Sequence, residues 1–134
     1  MSTTEAEDLV TPDAAEDAPK REPLPVFENP PAKGKKPKYF VAGATFYAQM
    51  DDGWELAAPI KLSARTVRDM QSIGDADELE QMVKLFTILG DDATVERLLD
   101  ADFVDAMEAA LRYFQAWEEK NEARLGELLR SSHS

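Results

Sequence analysis

Seven of the eight prolines in this chain fall at or before Pro37, and only Pro59 lies beyond. Proline fixes φ, lacks an amide donor and restricts the residue before it, so neither a long helix nor a central strand tolerates that density. Large apolar residues are also few before Lys38. Such a segment cannot bury enough surface to offset the entropy of ordering, and residues 1–37 read as a disordered arm. Its charges come in blocks: Glu5, Glu7, Asp8, Asp13, Glu16 and Asp17 lead, and Lys33, Lys35, Lys36 and Lys38 close it. The basic stretch reads as a solvated linker. Leu24, Val26 and Phe27 form a small apolar island that could dock on the domain or on a partner, with an unstructured linker as the expectation.

From Tyr39 the pattern becomes globular. Tyr39 to Ala48 is rich in aromatic and β-branched residues, Asp51-Asp52-Gly53 supplies turn chemistry, and Trp54-Glu55-Leu56 resumes the apolar alternation. This predicts a β-hairpin whose second strand ends near Pro59. A lone hairpin is marginal in water, so it must pack on something. Ser63 is a good N-cap for a helix carrying Val67, Met70 and Ile73, with Gly74 as its stop. Asp75 is the expected cap of a second helix, on which Leu79, Met82, Val83, Phe86 and Leu89 recur at three- and four-residue steps, and Gly90 closes it. Asp91 or Asp92 caps a short third helix through Val95, Leu98 and Leu99. The last helix starts near Asp100 or Asp102 and runs past Trp117. Its stripe, Phe103, Met107, Ala110, Leu111, Phe114 and Trp117, is expected to face the core. The expected fold class is mainly α. About four helices, preceded by the hairpin, make a single small domain over residues 38–125, with a flexible tail at 126–134.

Composition then narrows the function classes. The chain has 134 residues, 27 acidic against 15 basic side chains, and a formal net charge of -12. Nucleic-acid binding needs clustered Lys and Arg to displace counterions, and anionic membrane surfaces need the same, so neither partner is expected. With no cysteine, disulfides, thiolate metal sites and Cys nucleophiles drop out. The N-terminus has neither a basic region nor an apolar run, so it does not read as a signal peptide. No apolar run approaches the roughly 20 residues of a membrane span, so the chain is expected to be soluble and to stay where it is made.

Catalytic constellations are equally scarce. The single histidine, His133, is second from the end, where a general base lacks fixed geometry, and a Ser-His-Asp triad is thereby ruled out. Asp51-Asp52 and Asp91-Asp92 sit where a turn and a helix cap call for aspartate. Glu118 and Glu119 are helix neighbours that do not face each other. No stretch has the acidic spacing and closing Glu of a calcium loop, and no glycine-rich loop precedes a Lys-Ser or Lys-Thr pair. The expectation is a non-enzymatic binding protein with no cofactor and no metal. Its partner-binding surface is expected on the last helix and its exit, around Tyr113, Trp117, Leu125 and Leu128, beyond the reach of a small core.

The final third carries a more specific pattern. Helical segments end in Leu98-Leu99-Asp100, an aromatic helix follows with Tyr113-Phe114-Gln115-Ala116-Trp117, and the chain closes with Ala123-Arg124-Leu125-Gly126-Glu127-Leu128-Leu129-Arg130-Ser131-Ser132. Together with the hairpin leading through Pro59, Lys61 and Leu62 into the Ser63 helix, these features resemble the tail assembly chaperones of siphophages that infect actinobacteria. The resemblance covers roughly residues 38–134. It implies a protein that binds the long, aggregation-prone tape measure protein, keeps it soluble, and helps tail tube protein polymerise around it. It implies action in the host cytoplasm, absence from the mature virion, and no ATPase activity. It also implies a partner in a longer form of the same chain, made by a programmed ribosomal frameshift near Leu125-Gly126-Glu127. Self-association as a homo-oligomer stays open.

Two other readings stand beside it: a structural tail or head-tail connector component of the virion, and a small winged-helix DNA-binding regulator. Acid-rich helices without a basic face count against the regulator. Duplex DNA should therefore migrate unshifted with this protein at low salt, and a salt-sensitive shift would reinstate the regulator.

Overall fold

The computed structural model describes residues 23–32, 36–72, 74 and 76–132, with side chains as far as residue 126. Residues 1–22 of the expected arm, Lys33, Lys35, Ile73, Asp75 and His133 lie outside the described residues. The elements run β1 (Val26–Phe27), β2 (Tyr39–Ala42), β3 (Thr45–Gln49), β4 (Glu55–Pro59), α1 (Ala64–Gln71), α2 (Glu78–Leu89), α3 (Asp92–Asp100) and α4 (Phe103–Ser132). The architecture is mainly helical, with a small four-stranded sheet in the order β1-β2-β3-β4.

The sheet is larger than the expected hairpin, for two local reasons. Gly43 is a turn: Ala42 pairs with Thr45, and Gly43 has φ 61° while no described non-glycine residue has positive φ. A two-residue loop with positive φ only at its first central position is a type II′ turn, which suits the right-handed twist of paired strands. The stretch from Tyr39 to Ala48 is thus two antiparallel strands, and with β4 it makes a three-stranded meander. The second reason lies in the apolar island. Val26 and Phe27 pair in parallel with Val41 and Ala42, and the Val41 and Gly43 amides donate to the Pro25 and Phe27 carbonyls at 2.9 and 3.0 Å. Prolines fit here because β1 is short and lies at the sheet edge. The linker reading of Leu24 to Phe27 and the domain boundary at residue 38 are corrected accordingly. Phe27 sets its edge against Phe40 at 5.9 Å and Tyr47 stacks on Phe40 at 4.9 Å, which buries Phe40 on the face of the sheet away from the helices.

The opposite face holds the main core. Val41, Phe46, Ala48, Leu56 and Ala58 point into it from β2, β3 and β4, in the alternation that period-two strands require. Met70 of α1, Met82, Leu85 and Phe86 of α2, Leu98 of α3 and a small-residue face of α4 close over them. Each helix start is capped by a side-chain oxygen. Ser63 accepts from the Thr66 amide, Asp77 from Glu80, Asp91 from Thr94, and Asp102 from Asp105. The cap of α2 is therefore Asp77 rather than Asp75. Gly90, with φ 78°, ends α2 in the left-handed conformation expected of it. Helix α4 continues through Gly126 to Ser132, so the expected tail at 126–134 is helical over most of its length.

The face that α4 turns inward matches the expected stripe only in part: Ala110 is buried and Phe114 and Trp117 pack against the core, while the start of the stripe faces out. Asp105, Ala106, Ala109, Ala110, Tyr113 and Ala116 are the buried positions, whereas Phe103 is 63% exposed and Val104 67%. Small side chains let the α4 backbone approach α2 and the sheet closely, and Phe103 is left on the outer side. The first turn of α4 is tied down by a polar clasp. The buried Asp105 carboxylate accepts from the Asp51 amide at 2.9 Å and from Lys38 Nζ at 3.4 Å, joining the β3–β4 turn and the start of β2 to the helix. Lys38 also donates to Asp51 Oδ1 and to the Gln49 carbonyl, and Lys36 pairs with Glu55 at 3.1 Å. The end of the basic stretch is thus pinned to the domain instead of being a solvated linker. Burial works to lower the Lys38 pKa, but the Asp51 hydrogen bond and neighbouring Tyr39 and Asp105 outweigh it and leave it raised.

Asp105→Ala removes an acceptor that the Asp51 amide and Lys38 share, and should cost about 1–3 kcal/mol. Lys38→Met should cost under about 1 kcal/mol, because a half-exposed ammonium loses little when its ion pairs go. Urea unfolding of both variants with an unchanged slope checks the ranking, and a neutral Asp105→Ala would remove the clasp from the account.

Candidate partner-binding surface

The four residues expected to meet a partner are not one surface. Tyr113 is fully buried, the largest of the wholly buried side chains. Its ring meets Phe46 edge-on at 5.7 Å and its hydroxyl donates to the Pro59 carbonyl. A side chain so placed cannot touch a partner, and Tyr113 is removed from the candidate surface. Trp117 is half-buried, packed on the rim of the core, and its indole N–H is buried with no acceptor among the described residues. Leu125 is 57% exposed. The Leu128 side chain lies outside the described residues.

Trp117 and Leu125 do come together in a groove of about 720 Å³ between α1 and α4. Leu62, Ala64 and Val67 line it from the α1 side, and Arg68, Gln71, Asn121 and Arg124 add its polar groups. This geometry follows from the two helices. Residues 117, 121, 124 and 125 recur at helical steps of three and four, so one face of α4 presents them together past the end of the core. Asn121 is held by its side-chain amide on the Trp117 carbonyl at 2.8 Å, and its oxygen accepts from Arg124 Nη1 at 3.0 Å. The groove shares Val67, Gln71 and Trp117 with a smaller cavity of about 240 Å³ that also meets Met70, Phe114, Glu78 and Glu118. An apolar floor with a few hydrogen-bonding and cationic groups at its rim can accept an amphipathic segment.

Two further apolar surfaces are visible only in three dimensions. Leu79, Val83 and Leu99 line a groove of about 700 Å³ between α2 and α3, with Glu80 and Lys84 at its edge. Phe103, Val104, Met107 and Leu111 form an open strip of α4, with a shallow hollow of about 270 Å³. The expected core stripe contains three of those four residues. What marked them as outward-facing was the alanine series at 106, 109, 110 and 116, which defines the inner face by its small size. The α1 residues of the first groove carried no comparable signal. Among the described residues, no cluster of three or more His, Cys, Asp or Glu could hold a metal ion, and no helix is long and apolar enough to cross a membrane.

Burial pushes the Tyr113 pKa far above its ordinary value, and burial together with nearby Glu108 also raises Tyr39. Both tyrosines and Lys38 therefore hold their protons more tightly when folded. The stability this confers is complete below the unfolded pKa values, near 10, and is lost as pH rises through the folded ones. Urea midpoints should stay level between about pH 7 and 9 and fall above about 10, and less steeply in Tyr113→Phe. At neutral pH that variant should cost about 1–2 kcal/mol, since the Pro59 carbonyl loses its donor. Leu125→Ser, on the exposed wall, should stay within about 0.5 kcal/mol of the parent. No protein-family model matches this chain, and neither a curated protein nor a solved structure matches it.

Proposed function

We propose that this protein is a phage tail assembly chaperone, a non-enzymatic binding protein that holds the tape measure protein soluble while tail tube protein polymerises around it. The observation that carries the reading is the groove between α1 and α4, with Trp117 and Leu125 on its wall. A chaperone for a long helical client needs apolar contact area surrounded by charge, so that it stays dispersed when unbound. The net charge of -12 supplies the surround, and the groove and the Phe103 strip supply the contact area. The closing segment from Ala123 to Ser132, on which the family resemblance rests, continues α4 directly from the groove. In this reading the chaperone acts in the host cytoplasm and leaves no stoichiometric copy in the virion. A longer, frameshifted form, differing in sequence from near Leu125-Gly126-Glu127 onward, would work beside it.

The presence of a second apolar surface favours one other reading, a structural tail or head-tail connector subunit, since a lattice component needs contacts on more than one side. Mass spectrometry of purified particles separates the two: a connector is present in stoichiometric amount. The chaperone reading is tested by co-expressing this chain with the tape measure protein of its phage and pulling down from the soluble fraction. A soluble complex that is lost in Leu125→Ser, with helical circular dichroism intact, is the expected result. A tape measure protein that stays insoluble and unbound, with this chain and its longer form both present, would refute it.

A further inference from the structure

The α1–α4 groove differs from its neighbours in charge. The α2–α3 groove carries Glu80 beside Lys84, the small cavity next to Trp117 carries Glu78 and Glu118, and the hollow on α4 carries Glu108. The α1–α4 groove is lined by Arg68 and Arg124 and by no acid, in a chain whose acidic side chains outnumber the basic ones by 27 to 15. Arg65 lies one helical turn before Arg68's neighbour Asp69, and Asp69 approaches Arg68 only at 4.0 Å. An occupant that matches this groove has apolar side chains for Leu62, Val67, Trp117 and Leu125, and carboxylates for the two guanidinium groups.

The chain contains such a segment. Its first nineteen residues hold no Lys or Arg, and Leu9-Val10 sits between Glu5, Glu7 and Asp8 on one side and Asp13, Glu16 and Asp17 on the other. Fifteen residues separate Val10 from Val26, where β1 begins. Extended, they span about 50 Å. Helix α4, the longest element, measures about 45 Å at its full length, so the segment can reach the groove from the sheet edge. Tethering matters more than intrinsic affinity here. Exposed carboxylate–guanidinium pairs are weak singly, but covalent connection through a stretch of this length holds the segment near its site at an effective concentration of ~mM.

We propose that the groove between α1 and α4 is occupied in the free protein by the chain's own acidic segment around Leu9 and Val10. The occupancy rests on the charge match and the reach alone.

The test places a photo-crosslinking benzophenone amino acid at position 125 of the full-length chain, in place of Leu125. After irradiation, monomeric product is separated and crosslinked peptides are identified by mass spectrometry. Crosslinks within one chain to residues 5–17 are expected, with yield falling several-fold between low salt and 0.5 M salt as the ion pairs are screened. The pair R68E and R124E should abolish them, and reversing Glu5, Glu7 and Asp8 to Lys in that background should restore them. Because Arg68 and Arg124 are exposed, circular dichroism of the double variant should match the parent. Substituting Glu5, Glu7 and Asp8 by Gln and Asn, which leaves every described element intact, gives the same loss by an independent route. Crosslinks only to other parts of the domain, or only between two chains, would overturn the proposal. Absence of the crosslink together with a recovered soluble complex of chain and tape measure protein would overturn the self-docking while leaving the chaperone reading standing.

Discussion

The fold depends on one buried contact more than on any other, the seat of Tyr113 between α4 and the sheet. Its ring lies edge-on to Phe46 and its hydroxyl reaches the Pro59 carbonyl, at the point where β4 gives way to the approach to α1. A phenol can bury its whole surface only if its single polar atom finds a partner, and a strand end offers a carbonyl with no ladder donor. That one residue therefore positions α4 against β3 and at the same time anchors the segment leading into α1. The groove between α1 and α4 exists because both of its walls are referred to this contact.

The distribution of acid follows a second logic. Most of the carboxylates with an evident local role stand at helix starts or turns. Asp77, Asp91 and Asp102 each accept a backbone amide that the helix leaves without a partner, and Asp105 extends the same device from a helix first turn to the β3–β4 turn. Among the described residues, the grooves and hollows between helices differ in whether an acid lines them. The α1–α4 groove is lined by Arg68 and Arg124 and by no acid, which sets it apart from the others.

Much of the fold was legible along the chain because the governing signals are local. The Ser63, Asp91 and Gly90 boundaries follow from capping chemistry, the β3–β4 turn from Asp51-Asp52-Gly53, and the helix count from three- and four-residue apolar spacing. Other features were not legible, each for a physical reason. Gly43 in a run of β-forming residues is compatible with a bulge or a turn, and only pairing of Ala42 with Thr45 decides. Val26 and Phe27 carry too little apolar surface to order themselves and do so only because Phe40 and Val41 wait on the neighbouring strand. On α4 the largest apolar residues suggest the inner face, but helix-to-sheet distance there is set by alanines.

The amino-acid sequence by itself determined the class of the fold, most of its caps and the β3–β4 turn, and the acidic balance, because each is a property of a residue and its near neighbours. It also determined that the end of the last helix carries apolar residues beyond those a small core requires. Only the tertiary structure decided which of them face out. Tyr113 and Trp117 are four residues apart on one helix, yet Tyr113 lies wholly inside against Phe46 and Pro59, whereas Trp117 faces α1 across a groove. Helical spacing places residues on a face, but what lies across from that face is set by contacts between segments distant in the chain.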